Sequence, residues 1–140
     1  MDPRQLAAFE AQTASQQLRE EETSIGDYRV VKILGRGSFG RVVLAEHSGG
    51  GLAAIKLLPR GHYVRNYHTY VVREILHHAS LRHPFVVALS QVILTQRSLA
   101  IVMEYAAGGD LLRHLQARSC RRLSEGEARW MFQQMAIGLA

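Results

Sequence analysis

The chain has 140 residues, 47% of them apolar and 21% charged, which suffices for one domain with a hydrophobic core and is ordinary for a soluble globular protein. The net charge of +5 is spread out, since Arg60, Arg65, Arg73, Arg82, Arg113, Arg118, Arg121 and Arg122 form no tight block; a nucleic-acid surface is not expected, while acidic ligands such as nucleotide phosphates remain compatible. No apolar run could span a membrane, Met1-Asp2-Pro3-Arg4-Gln5 does not read as the start of a secretory signal, and the single Cys120 excludes an internal disulfide and fits a reducing compartment. The seven histidines show no metal-ligand spacing: His77 and His78 are adjacent on an expected helix and point apart, and His47, His62, His68, His83 and His114 read as structural or surface residues.

In chain order, residues 1 to about 25 are rich in Ala, Gln and Glu and lack apolar periodicity, so they read as an extension that ends in a linker near Gly26. A strand is expected from Tyr28 through Val30-Val31-Lys32-Ile33-Leu34, a second over Arg41–Ala45, and a third over Leu52–Leu58 after the turn Ser48-Gly49-Gly50-Gly51. These make an antiparallel meander. Val71, Val72, Ile75, Leu76 and Ala79 repeat at helical spacing, and His83-Pro84 ends that helix. Two more strands follow, around Leu89–Leu94 and Leu99–Met103; Ala107-Gly108-Gly109 breaks the pattern and Leu111-Leu112 opens a short helix. The last helix starts at Ser124 with a capping box to Glu127, and Ala128, Met131, Phe132, Met135 and Leu139 are expected to line one face. No internal repeat or long low-complexity tract is present.

The motif that carries chemistry is Gly35-Arg36-Gly37-Ser38-Phe39-Gly40-Arg41-Val42. Its G-x-G-x-x-G spacing is shared with dinucleotide-binding folds, but there the third glycine opens a helix and an acid lies ~20 residues on. Here Gly40 leads into Val42, Val43 and Leu44, which favour a strand, and the later segment is Ala54-Ile55-Lys56 with no acid. A Walker A loop is also excluded, because Arg41-Val42 stands where it needs Lys and then Ser or Thr. What remains is either a plain glycine-rich hairpin or a phosphate loop. In a phosphate loop Gly35, Gly37 and Gly40 let backbone N–H groups approach an anion closely, and Phe39 sits at the tip as a flap.

Strand alternation places Ala54, Lys56 and Leu58 on one face. Ala54 leaves room for a flat base, Lys56 reaches phosphates, and Val42 on the neighbouring strand closes the slot. Lys56 needs an orienting partner. Glu74 is the only acid on the helix, between Val71-Val72 and Ile75-Leu76, and is either that partner or part of a solvated face.

Further along, Ser80-Leu81-Arg82-His83-Pro84, Val92-Ile93-Leu94-Thr95 and Leu99-Ala100-Ile101-Val102-Met103-Glu104-Tyr105-Ala106-Ala107-Gly108-Gly109-Asp110-Leu111 complete a pattern that resembles protein kinases. The chain is most similar to the plant and algal stress-responsive serine/threonine kinases related to the yeast sucrose-nonfermenting kinase, in the AMP-activated kinase branch. Leu123-Ser124-Glu125, Glu127-Ala128-Arg129 and Phe132-Gln133-Gln134 extend the match, which covers roughly residues 28 to 140. The resemblance implies an α+β fold: a kinase small lobe, with a five-stranded antiparallel sheet and one helix, over 27–103, a hinge over 104–110, the start of a large lobe over 111–140, and an extension over 1–26. It implies ATP contacts at Leu34, Gly35, Arg36, Gly37, Ser38, Phe39, Gly40, Val42, Ala54, Lys56, Met103, Glu104, Ala106 and Asp110, with Lys56 and Glu74 as the catalytic pair. Met103 corresponds to the gatekeeper behind the adenine, and the backbone of Glu104 and Ala106 to the hinge that bonds the base. Asp110 holds the acidic position near the ribose, or else caps a helix. His78 and Leu89 fall where the family stacks its internal spine, although a histidine there is less apolar than usual; Ala53 replaces the usual valine of the lysine motif.

Phosphoryl transfer also needs a catalytic-loop aspartate, an asparagine and an Asp-Phe-Gly aspartate for Mg2+. Asp2, Asp27 and Asp110 are the only aspartates and Asn66 the only asparagine, and none stands in such a context. The expectation is therefore an N-terminal part of a serine/threonine kinase, inactive by itself, with the Mg2+ ligands in polypeptide outside these residues. The alternative is a non-catalytic nucleotide-binding or kinase-partner module. The first is preferred, because nothing in the sequence adapts the end of the last helix to solvent. The expected partners are ATP, protein substrates and regulatory proteins, without nucleic acid or membrane, in the cytoplasm or nucleus.

Overall fold

The structure is a computed structural model that describes residues 22–37, 40–60 and 68–140. Six strands form one antiparallel sheet: β1 (Ser24–Ile25), β2 (Tyr28–Gly37), β3 (Gly40–His47), β4 (Leu52–Pro59), β5 (Leu89–Leu94) and β6 (Ser98–Glu104), in the spatial order β1-β2-β3-β4-β6-β5. Helix α1 (His68–Ser80) lies between β4 and β5 in sequence, and α2 (Leu111–Gln116) and α3 (Glu125–Leu139) follow the sheet.

The core is one face of the central strands, made by odd-numbered residues of β3 and β4 and even-numbered residues of β6. Val43 pairs with Ile55 and Ile55 with Val102, while Ala45 pairs with Ala53 and Leu57 with Ala100. Directly opposed residues of antiparallel strands share a face, so these side chains stack with Ile25 and Tyr28 into one buried cluster. Ile25, Ile55 and Val102 are fully buried. Of β4, only Leu52, Lys56 and Pro59 escape burial, because the even face, with Ala54 and Leu58, is covered as well.

The small-lobe layout expected from the sequence is present, with one addition. The sheet has six strands rather than five, because Ser24–Ile25 pairs with Tyr28 and Arg29. The connecting turn uses Gly26 at φ +54°, a left-handed conformation that glycine adopts without steric cost. The boundary placed after residue 26 thus falls inside this hairpin. A two-residue strand has no periodicity to detect, and among the described residues before Tyr28 only Ile25 is taken up by the core. Strand β2 also runs further than expected, to Gly37, with register shifts between Val30 and Lys32 and between Ile33 and Gly35.

Helix α1 turns Val71, Ile75 and His78 toward the sheet; Tyr70, Val72 and Leu76 are exposed. The inward stripe is therefore 71/75/78 rather than the broader apolar set expected. Helix α3 shows a similar difference: Glu127, Met131, Gln134 and Gly138 are half-buried, whereas Phe132, Met135 and Leu139 are exposed. The inward side, at Gly138, faces the 85–86 segment: a Cβ there would lie 3.4 Å from the Phe85 carbonyl oxygen, an ordinary contact.

The N-terminus of α3 forms the expected capping box. The Glu127 amide donates to Ser124 Oγ (3.2 Å) and the Ser124 amide donates to Glu127 Oε2 (2.9 Å). Arg118 adds two parallel bonds to the same carboxylate, each 2.9 Å. The Arg118 guanidinium foremost, then the Ser124 donors, lower the Glu127 pKa to about 2 from an ordinary 4.5. A carboxylate held lower in the folded than in the unfolded state stabilises fully above its unfolded value, and that contribution fades as pH falls toward the folded value. Thermal midpoints are therefore expected to fall between pH 4.5 and about 2, with less acid sensitivity in Glu127→Gln. Parallel pH profiles of the two proteins would contradict this.

No helix among the described residues is long and apolar enough to cross a membrane.

Candidate nucleotide site

The glycine motif is a β-hairpin. Pairing continues through Gly35 with Val42, Arg36 with Arg41 and Gly37 with Gly40. Its tip, Ser38 and Phe39, lies outside the described residues, so the flap expected of Phe39 has no structural account. The three glycines differ in what they do. A Cβ on Gly35 or Gly37 would meet nothing within 4 Å, whereas one on Gly40 would sit 2.1 Å from the Leu57 carbonyl oxygen, and Gly40 also has φ +134°. Gly35 and Gly37 leave open space beside a backbone that a ligand could approach, and Leu34 before them is exposed. Gly40 is instead required by close packing of β3 on β4.

Beneath the hairpin, the face of the sheet opposite the core cluster carries the slot. Val42 pairs with Lys56 and Lys56 with Ile101; Leu44 pairs with Ala54 and Ala54 with Met103. All six share one face by the same cross-strand rule. Val42, Ala54, Lys56 and Met103 thus lie on three adjacent strands, with the small Ala54 in the middle. The two that sequence alternation put side by side, Ala54 and Lys56, are joined by Val42 and Met103 through register alone.

Lys56 Nζ lies 3.7 Å from Glu74 Oε1, linking β4 to α1. The lysine side chain is 31% exposed and the glutamate 69%. Of the two readings left open for Glu74, the structure realises both: its side chain is largely in solvent and its carboxylate faces the lysine. An ion pair this exposed adds little to stability, so its consequence is geometric: it sets where the ammonium points.

At the end of β6 the Glu104 amide donates to the Ala88 carbonyl (2.9 Å), and the Ala88 amide donates to Glu104 Oε2 (3.2 Å). Sequence reasoning missed this double link, since neither residue has a local pattern that points to the other. With its N–H so engaged, Glu104 has its carbonyl to offer a ligand. Ala106 accepts from the Gly109 amide (3.2 Å), Gly109 has φ +77°, and Asp110 Oδ1 accepts from the Arg113 amide (2.8 Å) as the N-cap of α2. The helix-cap alternative for Asp110 is therefore realised; a capping carboxylate keeps a second oxygen for another donor. His78 and Leu89, grouped by the resemblance, are both half-buried, and His78 Nε2 donates to the Val87 carbonyl (2.7 Å). Among the described residues, no group of three or more His, Cys, Asp or Glu side chains could hold a metal ion.

A family model described as "Protein kinase domain" matches residues 28–140. The chain belongs to the protein kinase domain family. Curated relatives of this kinase domain include the serine/threonine-protein kinase SRK2H of Arabidopsis thaliana, 46% identical over 113 residues, covering 80% of this chain and 30% of that protein. The serine/threonine-protein kinase SAPK9 of Oryza sativa subsp. japonica is 43% identical over 114 residues, covering 81% of this chain and 30% of that protein. The serine/threonine-protein kinase SRK2G of Arabidopsis thaliana is 45% identical over 113 residues, covering 80% and 31%. The chain therefore spans about a third of the length of the curated relatives it matches, and that third holds the sheet, α1 and the segment after β6. The plant serine/threonine kinases expected from the motifs are the kind of relatives found.

Proposed function

We propose that this chain is the ATP-binding part of a serine/threonine protein kinase that transfers the γ-phosphoryl group of ATP to Ser or Thr hydroxyls of proteins. The observation that carries the reading is the Lys56–Glu74 pair beneath the glycine hairpin. In this family such a pair must be assembled for activity. The residues suit ATP: open space beside Gly35 and Gly37 for phosphates, Ala54 between Val42 and Met103 for the base, and a lysine ammonium for the α- and β-phosphates. The Glu104 carbonyl and the Ala106 amide are assigned to the adenine edge, and the second oxygen of Asp110 to the ribose.

Lys56 neutralises phosphate charge, Glu74 keeps its ammonium aimed, and the hairpin excludes water from above. Mg2+ would supply the remaining charge neutralisation of the phosphates. Its ligands and the aspartate that orients the hydroxyl are assigned to polypeptide outside residues 1–140, so these residues by themselves are expected to bind nucleotide without transferring phosphate. Protein substrates and regulatory proteins are the proposed partners, and cytoplasm or nucleus the proposed location.

The test is phosphate transfer by the full-length polypeptide supplied with Mg2+, labelled ATP and peptides bearing Ser, Thr or Tyr. Label on Ser or Thr is expected. Nucleotide binding with no transfer would replace this reading with that of a binding module, and label on Tyr alone would overturn the residue class.

A further inference from the structure

We infer that Ser24 is a phosphorylation site, that Arg29 receives its phosphate, and that the modification fastens residues 22–26 as a strap joining the two edges of the sheet. The inference holds whether or not this chain itself transfers phosphate.

The strap is visible in three contacts. Strands β1 and β5 stand at opposite ends of the sheet order, yet the segment around β1 touches β5 and the turn after it. Gln91 Nε2 donates to Tyr28 Oη (3.2 Å). A Cβ built on Gly26 would lie 3.2 Å from Ile93 Cδ1. Thr95 Oγ1 donates to Glu22 Oε1. Residues 28, 26 and 22 thus meet 91, 93 and 95 in antiparallel order. The sheet is rolled until its edges meet, and Ile25 is fully buried there. The strap is nonetheless held by little. β1 makes two residue pairs with β2, and the second Glu22 oxygen is buried without a hydrogen-bond partner among the described residues. A buried oxygen left in that state weakens the latch, so a modest bias shifts the strap between docked and undocked.

The receiver for a phosphate is built into the sheet. Ser24 pairs with Arg29 and Arg29 with Glu46, so the three are cross-strand neighbours on one face, with Cβ atoms about 5 Å apart. All three are exposed. The Arg29–Glu46 ion pair has side chains 69% and 48% exposed, and a pair in that setting is worth little and is readily exchanged. A phosphoryl group on Ser24 brings three acceptor oxygens and about 1.5 to 2 negative charges to the same guanidinium, whose fork binds phosphate through two parallel bonds. Glu46, once released, stays in solvent, so no buried charge is stranded. The Glu22 carboxylate is turned toward Thr95. Neighbouring hydroxyls are not equivalent: Thr23 lies outside the β1–β2 register, and Thr95 Oγ1 also accepts from the Arg97 and Ser98 amides (3.2 and 2.9 Å). In the transfer, Ser24 Oγ attacks the γ-phosphorus of ATP held by a serine/threonine kinase. The new O–P bond forms as the bond to ADP breaks, and the hydroxyl proton passes to that enzyme's carboxylate base. A two-residue edge strand opens readily enough to enter such a site.

The test has two parts, both on the full-length protein. Mass spectrometry of protein purified from resting and stressed source cells is expected to find phosphate on Ser24; its absence from both would overturn the inference. Incubation of the unmodified protein with Mg2+ and ATP assigns the transfer to a second copy if Ser24 is labelled, and to a different serine/threonine kinase if it is not. The second part reads the strap through hydrogen exchange of the Val30 amide, which donates to the Thr23 carbonyl (2.9 Å). Phosphoserine in place of Ser24 is expected to slow that exchange about tenfold or more, and Arg29→Gln to abolish the slowing. Unchanged exchange, or slowing that survives Arg29→Gln, would overturn the inference. If Arg29→Gln does not fold, Glu46→Gln frees Arg29 from its present partner and is expected to enlarge the slowing; no enlargement would count equally against it.

Discussion

If the proposed function holds, Lys56→Met in the full-length polypeptide is expected to lower kcat by about two to three orders of magnitude, the usual cost of removing one preorganised charge-stabilising group from a reaction centre. Its thermal midpoint is expected to stay close to wild type. Both halves follow from the surroundings of the residue. Val42 and Ile101 flank it across the sheet, so a methionine of similar length lies on the same apolar neighbours. The glutamate left behind is 69% exposed, so no buried charge loses its partner, which is the circumstance that makes such changes strongly destabilising. Steady-state kinetics beside a melting curve decides the matter. Unchanged turnover would remove Lys56 from its assigned role, and a collapse in the midpoint would show that it holds the sheet rather than the phosphates.

Two glycines of the same hairpin are expected to respond in opposite ways. Gly40→Ala places a methyl 2.1 Å from the Leu57 carbonyl oxygen in a backbone conformation at φ +134°. The neighbour is backbone of a central strand and cannot swing aside, so overpacking and strain together are expected to cost about 3 kcal/mol or more. Gly37→Ala meets nothing within 4 Å and is expected to melt like wild type, while raising KM for ATP several-fold by filling space assigned to the phosphates. Denaturant unfolding of both variants, with ATP titrations of the second, separates the two roles. Equal midpoints for the pair would show that Gly40 relaxes without cost. An unaltered KM in Gly37→Ala would move the phosphates away from that position.

The strand and helix order was readable because the local signals agree. β3 and β4 are short apolar runs rich in Val, Ile and Leu, a Gly-rich turn separates them, and Ser124 and Glu127 stand at capping-box spacing. The Lys56–Glu74 contact could also be anticipated, since α1 offers one acid. What stayed hidden depends on contacts between distant segments. Ile25 gives no sign of belonging to the core until β1 pairs with β2. The motif does not distinguish Gly40 from Gly35 and Gly37, because its constraint comes from Leu57, seventeen residues away. Nor could helical spacing tell which apolar residues of α1 and α3 turn inward, because both helices carry apolar side chains on more than one side. The Glu104–Ala88 link joins two ends that share no local pattern.

Strand β4 is buried on both faces at all but three of its eight positions, and this bears on how accurately the ammonium can be placed. Side chains of a strand alternate strictly, so a slip of one residue against β3 or β6 would push Ala53, Ile55 and Leu57 out of the cluster and turn Lys56 into it. The free energy of the whole apolar interior therefore opposes any such slip. Lys56 needs no interaction of its own to find its height on the sheet; it is a mark on a ruler whose graduations are cut by Val43, Ile55 and Val102. The adjustable part lies across the gap, on α1, where little is buried. One member of the pair is set when the chain folds, and the other is left free to be moved.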